Sequence, residues 1–225
     1  MPKHTDRNFA QDLHDLKDKI LKMGALVETM IARSITSLVE RDSNLAREVI
    51  HQDKEVDALE MEIDDACLRI LALHQPAAVD LRFVAVGMKI STDLERMGDL
   101  AVNICEEVLV LNQWEPLKPY IDLPEMAKKS QAMVKGALQA FIDRDAARAK
   151  GVCESDDEVD NLEVKIKEDL TQIMQEKQDA VPRGIRLMMI ARQLERIGDH
   201  ATNVAEEVNF LVEGEDIRHG ASALN

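Results

Sequence analysis

Leu194-Glu195-Arg196-Ile197-Gly198-Asp199-His200-Ala201-Thr202-Asn203-Val204-Ala205-Glu206-Glu207-Val208 decides the fold, because the chain nearly writes it twice. A hundred residues earlier stands Leu94-Glu95-Arg96-Met97-Gly98-Asp99-Leu100-Ala101-Val102-Asn103-Ile104-Cys105-Glu106-Glu107-Val108, identical at ten of the fifteen positions. Self-similarity of this kind fixes the architecture before any local reading. Outward from it, Met30–Asp57 aligns without a gap on Met133–Asp160 at an offset of 103. This pairs Arg41-Asp42 with Arg144-Asp145 and Glu55-Val56-Asp57 with Glu158-Val159-Asp160. After the next turn the offset falls to 100, so the second copy is three residues shorter between its second and third helices. Loops tolerate such losses.

The apolar pattern is helical throughout. From Phe9 to Glu40, residues Leu13, Leu16, Ile20, Met23, Val27, Met30, Ile31, Ile35 and Leu38 recur at steps of three and four, one face of a long helix; residues 1–8 read as a frayed terminus. Arg41-Asp42-Ser43 offers a stop and a cap. A second helix to His74 carries Val56, Leu59, Ile63, Ala66, Ile70 and Leu73 as a bundle seam. Gln75-Pro76 closes it, since the residue before proline avoids helical angles, and a third helix follows to Asn112. Three of the six prolines fall between Trp114 and Pro124, which therefore reads as a linker. Val181-Pro182 opens the sixth helix. The expected fold is all-α: two tandem three-helix bundles, six long helices, related by an internal pseudo-twofold repeat. The expected units are 1–113, a linker at 114–124, and 125–225.

Composition narrows the partners. Only 3% of residues are aromatic, and nine glycines in 225 residues leave few turns, which favours helices over sheets. A formal charge of −15 argues against nucleic acid and for cations or basic surfaces. Cys67, Cys105 and Cys153 are in no metal-binding spacing and read as buried thiols of a reducing compartment. The polar N-terminus has no signal-peptide core, and no run of about 18 apolar residues could span a membrane. A cytoplasmic location is expected.

The chemistry lies in the carboxylates. The second and fifth helices carry Asp53…Asp57 and Asp156…Asp160, and the third and sixth carry Glu95…Asp99 and Glu195…Asp199. Residues i and i+4 share a helix face, so each half presents two acidic pairs on adjacent helices. Glu60, Glu163, Asn103, Asn203, Glu107 and Glu207 extend the stripes. With 43 acids in the chain, chance alone gives roughly eight such pairs, and a charge run is usually a solvated face. Recurrence in register in both halves separates these pairs from chance. Stacked like charges call for a cation, and an oxygen-rich set suits Fe, Mn, Mg, Ca or Zn. Gly98 and Gly198 each cost about 1 kcal/mol inside a helix, so a close approach is expected there. His200 replaces Leu100 and is a weaker candidate ligand. Arg96 and Arg196 are expected to point away from the acids, pairing with Glu or capping surface charge. Glu48…His51 is a lone Glu-x-x-His without a counterpart in the second half, so a ferritin-like di-iron enzyme is not supported. There is no glycine-rich phosphate loop and no nucleophile beside a histidine. A di-metal helical enzyme and a purely structural adaptor stay as alternatives.

Two three-helix repeats, each carrying Leu-Glu-Arg-(Met/Ile)-Gly-Asp-x-Ala-x-Asn on its last helix, resemble the PhoU family of bacterial phosphate-transport regulators. The resemblance extends to Gln75-Pro76-Ala77-Ala78-Val79-Asp80-Leu81-Arg82 and to the closing Leu211–His219. It implies a non-enzymatic negative regulator of phosphate uptake and starvation signalling. The implied partners are a PhoR-like sensor histidine kinase and a PstB-like transporter ATPase, which would hold the chain at the membrane peripherally. It also implies multinuclear metal sites at Asp53, Asp57, Glu95 and Asp99, and at Asp156, Asp160, Glu195 and Asp199. Fe or Zn is favoured, with Mn or Mg as alternatives; Asn103 and Asn203 are the less certain ligands. A homodimer is compatible with this reading.

Overall fold

The computed structural model describes residues 3–118 and 120–214. Along them run α1 (Lys3–Val39), α2 (Ser43–His74), α3 (Ala78–Leu111), α4 (Asp122–Asp143), α5 (Ala146–Glu176) and α6 (Val181–Glu213). A 3₁₀ turn, Gln178–Ala180, leads into α6, and no strand occurs among the described residues. The all-α expectation holds. Helix α1 already runs from Lys3, earlier than the apolar pattern begins, and α4 starts at Asp122, inside the stretch read as linker. Proline is tolerated in a first turn, where its missing N–H has no intrahelical partner, and Pro124 sits there. Pro119 and Glu215–His219 lie outside the described residues.

The helix ends repeat as the sequence does. Arg41 and Arg144 cap α1 and α4 in the left-handed region, at φ 58° and 53°. The next residue's N–H reaches back five residues, Asp42 to the Ser37 carbonyl and Asp145 to that of Ala140, both at 2.9 Å. Each aspartate then caps the following helix: Asp42 Oδ1 accepts from the N–H of Asn44 and Leu45 at 2.8 and 3.0 Å. Asp145 Oδ1 accepts from the N–H of Arg148 at 3.0 Å. Arg41 also donates to the carbonyls of Asn112 and Trp114 at 3.1 and 2.7 Å, fixing the start of the linker.

Short turns force α1–α2–α3 and α4–α5–α6 into antiparallel triples, and every α1 position from Leu16 to Leu38 expected inside is buried. Leu73 is the exception on α2, 67% exposed, because the inward place of the last turn falls to His74, which packs on Phe9 and lies 2.8 Å from Asp12 Oδ2. The two triples share one continuous core. Helix α3 packs along α6 and α1 along α4. Phe83 of α3 stacks on Phe141 of α4 with centroids 5.2 Å apart, and the Ser130 hydroxyl of α4 donates to the Leu194 carbonyl of α6 at 3.0 Å.

Candidate functional site: two acidic helix pairs

Where α3 crosses α2, it does so on glycine. A methyl group added at Gly98 would lie 3.1 Å from Asp53 Oδ1 and 3.3 Å from Val56 Cγ1, tighter than ordinary contact. The missing side chain lets the α3 backbone settle against α2 and draws Asp99 towards Asp53 and Asp57. Asp53 is half-buried, and its carboxyl is pushed up to about 6, first by burial and then by the charges of Asp57 and Asp99. Glu95 is also raised, by burial first and then by Asp99, against the opposing pull of Arg96, with Glu60 and Asp57 adding to the rise. Arg96 pairs with a glutamate, as expected, but that glutamate is Glu95 of the acidic pair itself, so the side chain does not point away from the site. Its Nε lies 3.6 Å from Glu95 Oε2 and its Nη1 3.7 Å from Asp99 Oδ2.

The second half repeats this. At Gly198 the added methyl would lie 3.2 Å from Asp156 Oδ1 and 3.6 Å from both Met133 Sδ and Val159 Cγ1. Asp156 is pushed up to about 6 by burial, then by Asp160, Asp199 and Asp157. Glu195 and Asp199 are raised, burial again coming first in each. Oδ1 of Asp156 and Oε2 of Glu195 are buried with no hydrogen-bond partner. Arg192 pairs with Glu195, while Lys167 Nζ holds Glu163 Oε1 at 2.7 Å. The arginines and this lysine act as internal counter-ions. Among the described residues, no three carboxylate, histidine or cysteine groups converge closely enough to hold one ion in the side-chain positions they take here.

Beyond the acids, the stripes leave this face. Each i+4 step on a 3.6-residue helix advances about 40°, so three steps carry the stripe about a third of a turn around its axis. Asn203 therefore lies towards α3, its Nδ2 3.5 Å from Asp93 Oδ1, instead of beside the α5 acids. His200 Nδ1 sits 2.9 Å from the same Asp93 oxygen. Glu207 accepts from Lys89 Nζ at 2.9 and 3.0 Å, and Glu107 accepts from Arg186 at 2.6 Å. Asn103 is half-buried on the corresponding turn of α3. His200, Glu107 and Glu207 thus belong to a polar seam between α3 and α6. Asp93, Lys89 and Arg186, which complete it, had no repeated signal in the sequence.

Comparison with known proteins matches this duplicated geometry. The family model described as the PhoU domain matches twice, over residues 20–108 and 123–208. The chain belongs to the PhoU family. It is 40% identical to the "phosphate-specific transport system accessory protein PhoU homolog" of Zymomonas mobilis, over 95% of this chain and 90% of that protein. It is 36% identical to the homolog of the same name from Caulobacter vibrioides, over 96% and 95% of the two chains. A crystal structure of PhoU from Pseudomonas aeruginosa superposes with a TM-score of 0.88 at 37% identity, covering 92% of this chain and all of that one. The phosphate transport system regulatory protein PhoU from Streptococcus pneumoniae gives 0.86 at 30% identity, covering 93% and 99%.

Each PhoU repeat here supplies four carboxylates at one helix crossing, and in the second repeat two buried oxygens are unpaired. Hard oxygen donors, unpaired acceptors and like charges that resist ionisation are what a cation compensates. The donor types fit such an ion, and holding one requires the carboxylates to draw together as the basic side chains now resting on them swing aside. The thiols take no part. Burial pushes Cys67 and Cys105 up to about 12, which keeps them protonated.

Proposed function

We propose that this PhoU-family chain is a non-enzymatic accessory protein of phosphate transport whose two acidic helix crossings bind metal ions. The observation that carries the metal reading is the pair of half-buried aspartates, Asp53 and Asp156, each set against a glycine among like charges in matching places. The names of the relatives carry the link to phosphate transport. In finer terms, the chain restrains phosphate import and keeps starvation signalling off while phosphate is plentiful. It does so by contact with a PhoR-like sensor kinase and a PstB-like transporter ATPase. No helix among the described residues is long and apolar enough to cross a membrane, so these partners supply its place at the bilayer.

Asp53, Asp57, Glu95 and Asp99 would hold the ion or cluster of one repeat, and Asp156, Asp160, Glu195 and Asp199 that of the other. Bound there, Fe or Zn, or failing these Mn or Mg, supplies the positive charge that lets the clustered carboxylates ionise. The protein's own part is to fix the crossing. Gly98 and Gly198 set the separation of α2 from α3 and of α5 from α6. Because α3 and α6 also form the seam, their positions register in both repeats at once.

The deciding experiment is metal content per chain after tag-free purification, for the wild type and for E95Q/D99N/E195Q/D199N. Metal in the wild type that is lost in the variant supports the reading. Wild type without metal at physiological concentrations removes the metal sites and leaves an accessory protein whose acids are docking or solubility charges.

A further inference from the structure

The face of the molecule opposite the α3–α6 seam carries a groove that the acidic sites do not use. Helices α1 and α4 run antiparallel there. The amide of Gln131 donates to the Glu28 carbonyl at 3.1 Å, and Lys17 Nζ donates to the Ile142 carbonyl at 3.1 Å. Beside the first contact lies an open groove of about 720 Å³. Its rim is low because Ala25 and Ala32 on α1 and Ala132 on α4 are exposed alanines. Small residues at these places let another helix approach to the usual 8–10 Å between axes.

The charge of this groove is opposite to that of the chain. Lys128 and Lys135 line it from α4, two turns apart and so about 10 Å along the helix. Neither makes an ion pair among the described residues, whereas the neighbouring Lys129 is tied to Glu158 at 2.5 Å. Arg33, also on the wall, is engaged by Glu48 and Gln52 of α2. Glu28 is the one carboxylate among the lining residues; it is only partly exposed and faces Lys135. At the repeat offset of 103, the lysines stand where the first repeat has Ala25 and Ala32, so only one wall is cationic. In a chain of net charge −15, this is a place where an acidic segment is attracted, not repelled.

We propose that the α1–α4 groove docks an acidic helix of a partner protein, with its carboxylates against Lys128 and Lys135 and its small residues against the α1 alanines. The docked helix is then oriented, because carboxylates spaced seven residues apart can meet the lysines on one flank only. The site is separate from both acidic crossings and does not depend on metal binding or on the phosphate reading.

The test places a photo-crosslinking amino acid at Ala132 in the full chain, in the cells that make it, and identifies the captured segment by mass spectrometry. Exposed Leu73 at the far hairpin tip serves as the background position. The expected capture is a protein segment with helical periodicity, net negative charge and carboxylates two turns apart. Its yield should fall fivefold or more in K128E/K135E, and equally in A32W, which fills the groove without changing charge. Both variants alter exposed positions, and unchanged melting curves verify their fold. Capture of a neutral or basic segment, of nucleic acid, of lipid or of a second copy of this chain overturns the proposal. So does a yield no higher than at Leu73, or one that neither variant lowers.

Discussion

Neutralising Asp53 and Asp156 should make the metal-free protein more stable at pH 7.5. Both carboxyls sit at about 6 in the folded chain against an ordinary 3.8. A carboxylate sealed from water with that gap would cost about 3 kcal/mol once ionised. Each group is half open to solvent, so screening reduces the figure to about 1 kcal/mol apiece. The sign follows from proton binding. Between pH 4 and 6 the folded state holds more protons than the unfolded one, so stability falls as pH rises, and above about pH 6 the loss is complete. D53N/D156N removes the ionisation, keeps the shape, and should gain about 2 kcal/mol at pH 7.5. For a chain of this size that is a rise in Tm of about 4–8 °C. Thermal melts with a chelator at pH 7.5 and pH 4.5 provide the assay. The gain should be large at the higher pH and mostly gone at the lower, where the wild-type carboxyls are themselves protonated. A variant that melts below the wild type at pH 7.5, or a gain independent of pH, would refute the reasoning. With a binding metal in excess the ranking should invert, because the wild type alone is stabilised by the ion.

Three further outcomes follow from other parts of the fold. D42A and D145A each remove the acceptor that caps a long helix and should cost about 1 kcal/mol apiece, read by chemical denaturation. R186M strips the cation from Glu107, whose side chain is 14% exposed, and should cost about 1.5–3 kcal/mol by the same assay. In a thiol-labelling time course at pH 8, partly buried Cys153 should react before Cys67 and Cys105, which remain protonated and enclosed; faster labelling of either would contradict their burial.

Much of this was legible in the sequence because it is local or repeated. The duplicated Leu-Glu-Arg stretch gives two helix triples, Arg41-Asp42-Ser43 read as a stop and cap with Arg144-Asp145 as its repeat, and Gly98 and Gly198 stood out as glycines with no helical reason to be there. The pairing of the triples was not legible. Nothing in the repeat says that α3 lies along α6, since the seam joins residues such as Asp93 and His200 that are 107 positions apart and have no counterparts in the other copy. Reading Asn203 and Glu207 as a continuation of the acidic face failed for a geometric reason. A four-residue step overshoots the helical turn, and the overshoot accumulates until the side chain faces a different neighbour. The start of α4 was hidden by Pro124, which reads as a breaker unless it falls in a first turn.

The unbroken core changes what the proline-containing connection between α3 and α4 is for. With Phe83 on Phe141, Lys89 on Glu207 and Arg186 on Glu107, the halves hold each other through side chains, and the peptide between them mainly sets their local concentration. A protease cut there would open the backbone without releasing either piece. The halves are arranged as the two partners of a heterodimer would be, and made as separate polypeptides they should find each other and reassemble.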